Sequence, residues 1–361
     1  MPALAPRGAG PAIGRNVLSN PSLRHAFPGY FALVMATGIV SLAQYAQGDR
    51  WFAEALFVVN VVAYVLLVVA GIARIAETPR TVARELADHV KGPSFLTIVA
   101  GTCVLGVQFA ALHEWRGAAL ATWIASIVLW FVLIYGFFAA VTIAEPKPRL
   151  EHGLDGSWLL VTVATEAVAV LGTEVAPSLA LRDVAMFACL GFFLAGAMLY
   201  VLVIGLILFR WTFRTMDAQM LTPTYWINMG AVAITTLAGA RLVDVAGHFA
   251  FLAGIEHFVA GFTLFFFATA TWWIPLLVIV FVWRHVHRRV PIRYDPHYWS
   301  LVFPLGMYSA ATDAYARADR LDFLLPLAQA MAWVSLAAWL LTAAGLAHRV
   351  LTMGRRVSAS H

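Results

Sequence analysis

Glu166, within Thr165-Glu166-Ala167, is the one carboxylate that sits clearly at the centre of a long apolar run. An ionisable side chain at membrane depth is a functional candidate by default. A carboxyl there can take up and release a proton as a substrate passes, so Glu166 is a candidate for proton coupling. A hydrogen-bonded strut between helices is the plain alternative. Small polar residues recur at similar depth in other runs: Thr37, Gly38, Thr102, Thr165, Asn228, Thr236 and Ser309. Hydroxyl and amide dipoles can replace part of an anion's water shell weakly enough to release it again. These residues are therefore candidates for the lining of a substrate path. Helix packing alone favours the same composition, and a hydroxyl can also bond back to its own helix.

Other chemistry is poorly supplied. The 11 histidines lie mostly in loops or at the ends of apolar runs, with no His-Glu-x-x-His and no Cys-x-x-Cys. His285, His287 and His297 share one basic stretch, a poor cage for a metal, so neither a metal nor a cofactor is expected. Cys103 and Cys189 fall inside apolar runs and suggest no disulfide framework. Arg241 and Asp244, three residues apart, are expected to pair with each other. Pro304 lies well inside its run, where a proline should kink a helix.

The elements that must position these residues follow from composition. The chain is 61% hydrophobic and 12% charged, whereas a soluble domain carries about 25% charged residues. Ten apolar runs can be read, at about 26–47, 51–73, 93–113, 117–143, 157–176, 183–210, 224–247, 258–283, 297–312 and 323–347. Each is close to the roughly 20 residues that cross a hydrocarbon core. In lipid the backbone must satisfy itself, so the runs are predicted to be helices. Short connections make them five successive antiparallel pairs. Odd runs carry the glycines and hydroxyls; even runs are mostly Leu, Val, Ala, Ile and Phe. That parity predicts odd helices inside and even helices against lipid. Residues 74–92 read as a short helix on the inner surface, and 241–257 as an outer loop with a half-helix.

Charge orients the bundle. Eighteen of the 24 Lys and Arg fall in the N-terminal arm, in every second gap, or in the tail. Only Arg50, Arg116, Arg182, Arg241, Arg317 and Arg320 lie on the opposite side. Short-loop basic residues stay cytoplasmic, so both termini are expected inside. Because these residues are spread over six segments, the net charge of +5 is a topological bias and not a nucleic-acid surface. The organisation expected is a flexible cytoplasmic arm (1–25), a transmembrane transport domain (26–347) and a cytoplasmic tail (348–361).

Three stretches carry a resemblance. Phe27-Pro28-Gly29-Tyr30-Phe31-Ala32-Leu33-Val34-Met35-Ala36-Thr37-Gly38-Ile39-Val40-Ser41 resembles the opening helix of the tellurite-resistance/dicarboxylate transporter family. This is the superfamily of the plant slow anion channels, the bacterial tellurite-resistance protein, the yeast malate permease and the yeast sulfite pump. Tyr225-Trp226-Ile227-Asn228-Met229-Gly230-Ala231 is similar to its seventh helix, and Trp299-Ser300-Leu301-Val302-Phe303-Pro304-Leu305-Gly306 to its ninth. The resemblance implies five helical hairpins around a central pore, odd helices innermost, in trimers with one pore per protomer. It also implies that Phe303 occupies the position of the phenylalanine that plugs the pore in the channel branch.

The expectation is thus an all-α integral membrane protein that passes small anions, dicarboxylates such as malate or inorganic oxyanions such as sulfite or tellurite. Its partners would be those anions, the lipid bilayer of the cytoplasmic membrane and two further copies of itself. The rival reading is an intramembrane protease or lipid-modifying transferase. It needs converging catalytic groups, and the sequence offers one central glutamate.

Overall fold

A computed structural model of the chain describes residues 28–358. The arm at 1–25 lies outside the described residues. Those described are helical, with no strand among them. The main helices are α1 (Phe31–Ala46), α2 (Arg50–Glu77), α3 (Thr97–His113), α4 (Arg116–Ile143), α5 (Leu160–Val175), α6 (Arg182–Phe213), α7 (Ile227–Val245), α8 (Glu256–Val282), α9 (Trp299–Ala318) and α10 (Leu325–Ser358). A surface helix at Pro79–Leu86 joins α2 to α3, and short turns at Ala246–His248 and Ala250–Ala253 join α7 to α8. The reversal from α1 to α2 is tight, and Gly48 adopts φ +87° there, a conformation costly for any residue with a Cβ.

Eight of the helices are long and apolar enough to cross a membrane. The sequence predicts ten full spans, and α1 and α9 are the two that fall short. With 16 residues, α1 rises about 24 Å, less than the hydrocarbon thickness of about 30 Å. The end of α9 carries an Asp313–Arg317 ion pair at 2.8 Å. Both helices are enclosed by other helices, so neither needs an apolar length matched to lipid.

Burial separates two layers. In their most apolar windows, α3, α5 and α7 are 72%, 94% and 78% buried, while α2, α4, α6, α8 and α10 are only 22–33% buried. The outer helices expose Val65, Val69, Phe131, Val132, Leu202, Phe265 and Leu341, side chains suited to acyl chains. Contacts among the inner helices close on themselves: α1 packs on α3, α3 on α5, α5 on α7, α7 on α9, and α9 on α1. Each outer helix packs on the inner helix that precedes it. Indole N–H groups fasten the layers. Trp123 donates to the Val168 carbonyl (3.0 Å), Trp130 to Thr165 (2.8 Å) and Trp339 to Thr37 (2.9 Å).

Small residues let the ring close. A Cβ on Gly230 would lie 2.7 Å from the ring of Pro304, and one on Gly306 would lie 3.0 Å from Ile39. The α7–α9 and α9–α1 seams therefore bring backbone against side chain with no methyl group to spare.

Candidate functional site

All five inner helices begin in the same way. A short 3-10 turn leads into each: Pro28–Tyr30, Gly92–Leu96, Gly156–Leu159, Pro223–Trp226 and Pro296–Tyr298. Four carry a proline at or near the first position, where its missing N–H costs nothing and its fixed φ favours helix entry. The fifth is capped by Asp155, which accepts from the Ser157 N–H at 2.9 Å. These five turns also touch one another in a closed cycle, in the same order as the helices.

At their centre is a small cavity of about 20 Å³, room for one water molecule. Every inner helix contributes to its wall, with Gly29, Ser94, Ser157, Thr224 and Ser300 among the lining residues. Helix N-termini carry unsatisfied N–H groups and a partial positive charge of about half a proton each. Five aimed at one point make a positive contribution suited to an anion, against which stand the Asp155 and Asp295 carboxylates that cap two of the turns. Pro304 has no N–H to give to the carbonyl of Ser300, four residues earlier, so it supplies a hydrogen-bond acceptor there and no positive charge. Helix α9 runs through Pro304 without a break.

Phe303 lies one helical turn beyond Ser300 and is only 1% exposed. It is thus buried within the packed helices. His297 also lines the cavity. Its Nδ1 is 2.6 Å from Asp295, whose carboxylate also accepts the His297 backbone N–H at 2.9 Å. Burial alone would lower the His297 pKa, but the hydrogen bond and charge of Asp295, aided by Asp155, hold it above 6.5. Burial would raise Asp295, yet its bonds to His297 and the charges of His297 and Arg284 hold it below the usual carboxylate range.

The other candidates are placed less centrally. The hydroxyls of Thr37, Thr102, Thr165 and Ser309 are buried, but they face the outer layer. Thr37 accepts from Trp339, Thr102 meets Tyr64 at 3.0 Å, Thr165 accepts from Trp130, and Ser309 donates to the Ala328 carbonyl at 2.7 Å. Buried indoles and phenols of the outer helices need polar partners, and the inner hydroxyls supply them. Thr236 bonds back to the Val232 carbonyl at 2.8 Å. Gly38 lies against Val104 and Asn60, in the seam with α2 and α3. Asn228 is buried with neither side-chain polar atom partnered, and its carbonyl accepts from Tyr200 at 3.3 Å. Glu166 is fully buried, its carboxyl pressed against Gly196 of α6, and neither oxygen has a hydrogen-bond partner. Arg241 reaches Glu174 at 3.5 Å across the α5–α7 seam, in place of the expected pairing with Asp244.

At the opposite end lies a wider cavity of about 360 Å³, lined by Ala110, Glu114, Arg116, Glu174, Pro177 and Ser178. The reading from sequence missed Ser300 and the cavity role of His297. A signal was present: a Pro or Gly, then a polar residue, then an aromatic precedes the inner helices, as in Gly92-Pro93-Ser94-Phe95, Gly156-Ser157-Trp158, Pro223-Thr224-Tyr225 and Pro296-His297-Tyr298.

Eight long apolar helices and a buried inner ring define a multi-pass membrane protein. The chain belongs to the voltage-dependent anion channel family, which matches residues 25–347. It is 22% identical over 340 residues to an uncharacterized transporter of Methanocaldococcus jannaschii, covering 91% of this chain and 95% of that one. A second uncharacterized transporter of that organism is 21% identical over 322 residues, 87% of this chain and 91% of the other. An uncharacterized membrane protein of Mycobacterium tuberculosis is 41% identical over 165 residues, 45% of this chain and 83% of that one. Membership of a channel and transporter family sets aside the intramembrane-enzyme reading.

Proposed function

We propose that each protomer passes small anions through the centre of its inner ring, as five helical hairpins around a pore, with Phe303 as the gate. What supports this is the convergence of five helix N-termini on one cavity lined by Ser300, with the buried Phe303 one helical turn further along α9. An anion gathers at the mouth, sheds part of its water against N–H groups and hydroxyls, and waits below the phenyl ring. Rotation of Phe303 about its side-chain torsions opens a route between apolar walls. The wider cavity at the other end receives the anion. Candidate substrates are dicarboxylates such as malate and inorganic oxyanions such as sulfite or tellurite.

The positive-inside rule places the five lead-in turns, both termini and the basic connections in the cytoplasm, in the cytoplasmic membrane. The homotrimer follows from the family resemblance, and light scattering of the purified protein checks it. Phe303→Ala, reconstituted in liposomes, should raise anion leak severalfold over wild type. Unchanged or reduced flux in correctly folded protein contradicts the gate.

Proton coupling rests on Glu166, whose carboxyl lies in the α5–α6 seam. Glu166→Gln should abolish uptake driven by a pH gradient while sparing anion exchange. Full gradient-driven uptake in that variant removes Glu166 from the mechanism.

A further inference from the structure

A buried arginine that forms no ion pair among the described residues stands beside the turns into α5 and α7. Arg210, near the end of α6, is 4% exposed. Its Nη1 donates to the Leu154 carbonyl and, at 2.5 Å, to the Tyr225 hydroxyl; its Nη2 donates to the Glu151 carbonyl at 2.8 Å. All three acceptors are uncharged, and Nε–H has no partner. The Glu151 carboxylate turns away, to Arg214 at 3.2 Å and Arg149 at 3.5 Å. An unpaired guanidinium is costly to bury, so its retention calls for a use.

Its partners locate that use. Leu154 immediately precedes the Asp155 cap of the turn into α5, and Tyr225 lies within the turn into α7. Those two turns are in contact: a Cβ on Gly156 would stand 2.6 Å from the Thr224 carbonyl carbon and 2.8 Å from Tyr225 Cα. Ser157 and Thr224, beside this contact, line the cavity. The guanidinium fork therefore ties together two of the five turns that form the mouth.

We propose that Arg210 is the selectivity-determining cation of the mouth, acting through the wall without touching the anion. The proposal rests on the anion-passage reading above. The turns are capped by two carboxylates, Asp155 and Asp295, which by themselves favour cations. Asp295 is matched by His297 on its own turn. Asp155 bonds only to Ser157, through the backbone N–H and, at 2.5 Å, the hydroxyl. The charge of Arg210 offsets Asp155 and leaves the helix N-termini to set the sign of the site. Arg210 is a positioning residue for the turns and a fixed source of field for the cavity.

The test uses the full chain in liposomes with Phe303→Ala as the open parent, under a potassium chloride gradient. The reversal potential gives the chloride-to-potassium permeability ratio, which loosened packing alone would not shift. Arg210→Gln should lower that ratio about tenfold. Arg210→Lys should keep the ratio while conductance falls, since the charge stays and the fork is lost. Tyr225→Phe, which removes one acceptor and no charge, should also keep it. An unchanged ratio in Arg210→Gln overturns the proposal, as does a ratio lost equally in Arg210→Lys. If Arg210→Gln does not fold, Asp155→Asn decides: removing the carboxylate that Arg210 offsets should raise the chloride-to-potassium ratio, and an unchanged ratio overturns the proposal. A parent that passes no anion sinks the passage reading and this proposal together, whereas an anion-selective parent with an indifferent Arg210 sinks only the proposal.

Discussion

On the anion-passage reading, Phe303 and His297 stand at successive levels of one short route, and their chemistry divides the work. Phe303 is uncharged and buried, so it excludes water and ions by bulk. His297 sits at the rim, where its charge adds to that of the helix termini. Because its folded-state pKa lies above 6.5, the imidazolium is fully present below about pH 6.5 and is lost as pH rises through the raised value. Anion flux should therefore fall by about threefold as cytoplasmic-side pH rises past that point, and His297→Gln should flatten the profile. The Asp295–His297 pair stabilises the turn fully between the ordinary carboxylate range and pH 6.5; this fades above as His297 loses its proton and below as Asp295 gains one. Flux recorded against pH on oriented proteoliposomes checks this; a His297→Gln profile that matches wild type contradicts it.

At the scale of the helix, close packing and hydroxyl direction decide what each element can do. Gly230 meets Pro304 with no space for a methyl group, and the proline ring cannot swing away. Gly230→Ala should cost about 1–3 kcal/mol of stability through overpacking, seen as a lower unfolding temperature in detergent. An unchanged unfolding temperature would mean that α7 and α9 do not approach this closely. Parity was legible in the sequence because glycine and threonine concentrate on α3, α5 and α7, the helices that are buried on all sides. The facing of single hydroxyls was not. A helix enclosed all round has no polar side to reveal its orientation, and Thr37 and Thr165 bond to indoles about 302 and 35 residues away in sequence. Nor was the short reach of α1 legible, since its apolar run begins before Phe31, in the turn that forms part of the mouth. The recurring Pro or Gly, polar, aromatic pattern was present in the sequence; its meaning depends on five turns meeting, which no local window contains.

The whole molecule is a ring within a ring. The outer helices meet lipid with their leucines, valines and phenylalanines, and the inner ones meet each other. This arrangement lets short or charged helices such as α1 and α9 sit at membrane depth without facing hydrocarbon. It also concentrates the five positive helix ends at one place, an effect unavailable to a bundle whose helices alternate in direction around the centre. On the proposed route, anions travel inside the inner ring, past Ser300 and then Phe303. Its most direct test is modification of Ser300→Cys, with Cys103 and Cys189 replaced, by a charged thiol reagent applied from the cytoplasmic side. Anion flux should be blocked in proportion to labelling and restored by reductant. Complete labelling by mass spectrometry with undiminished flux would show that anions do not pass this way.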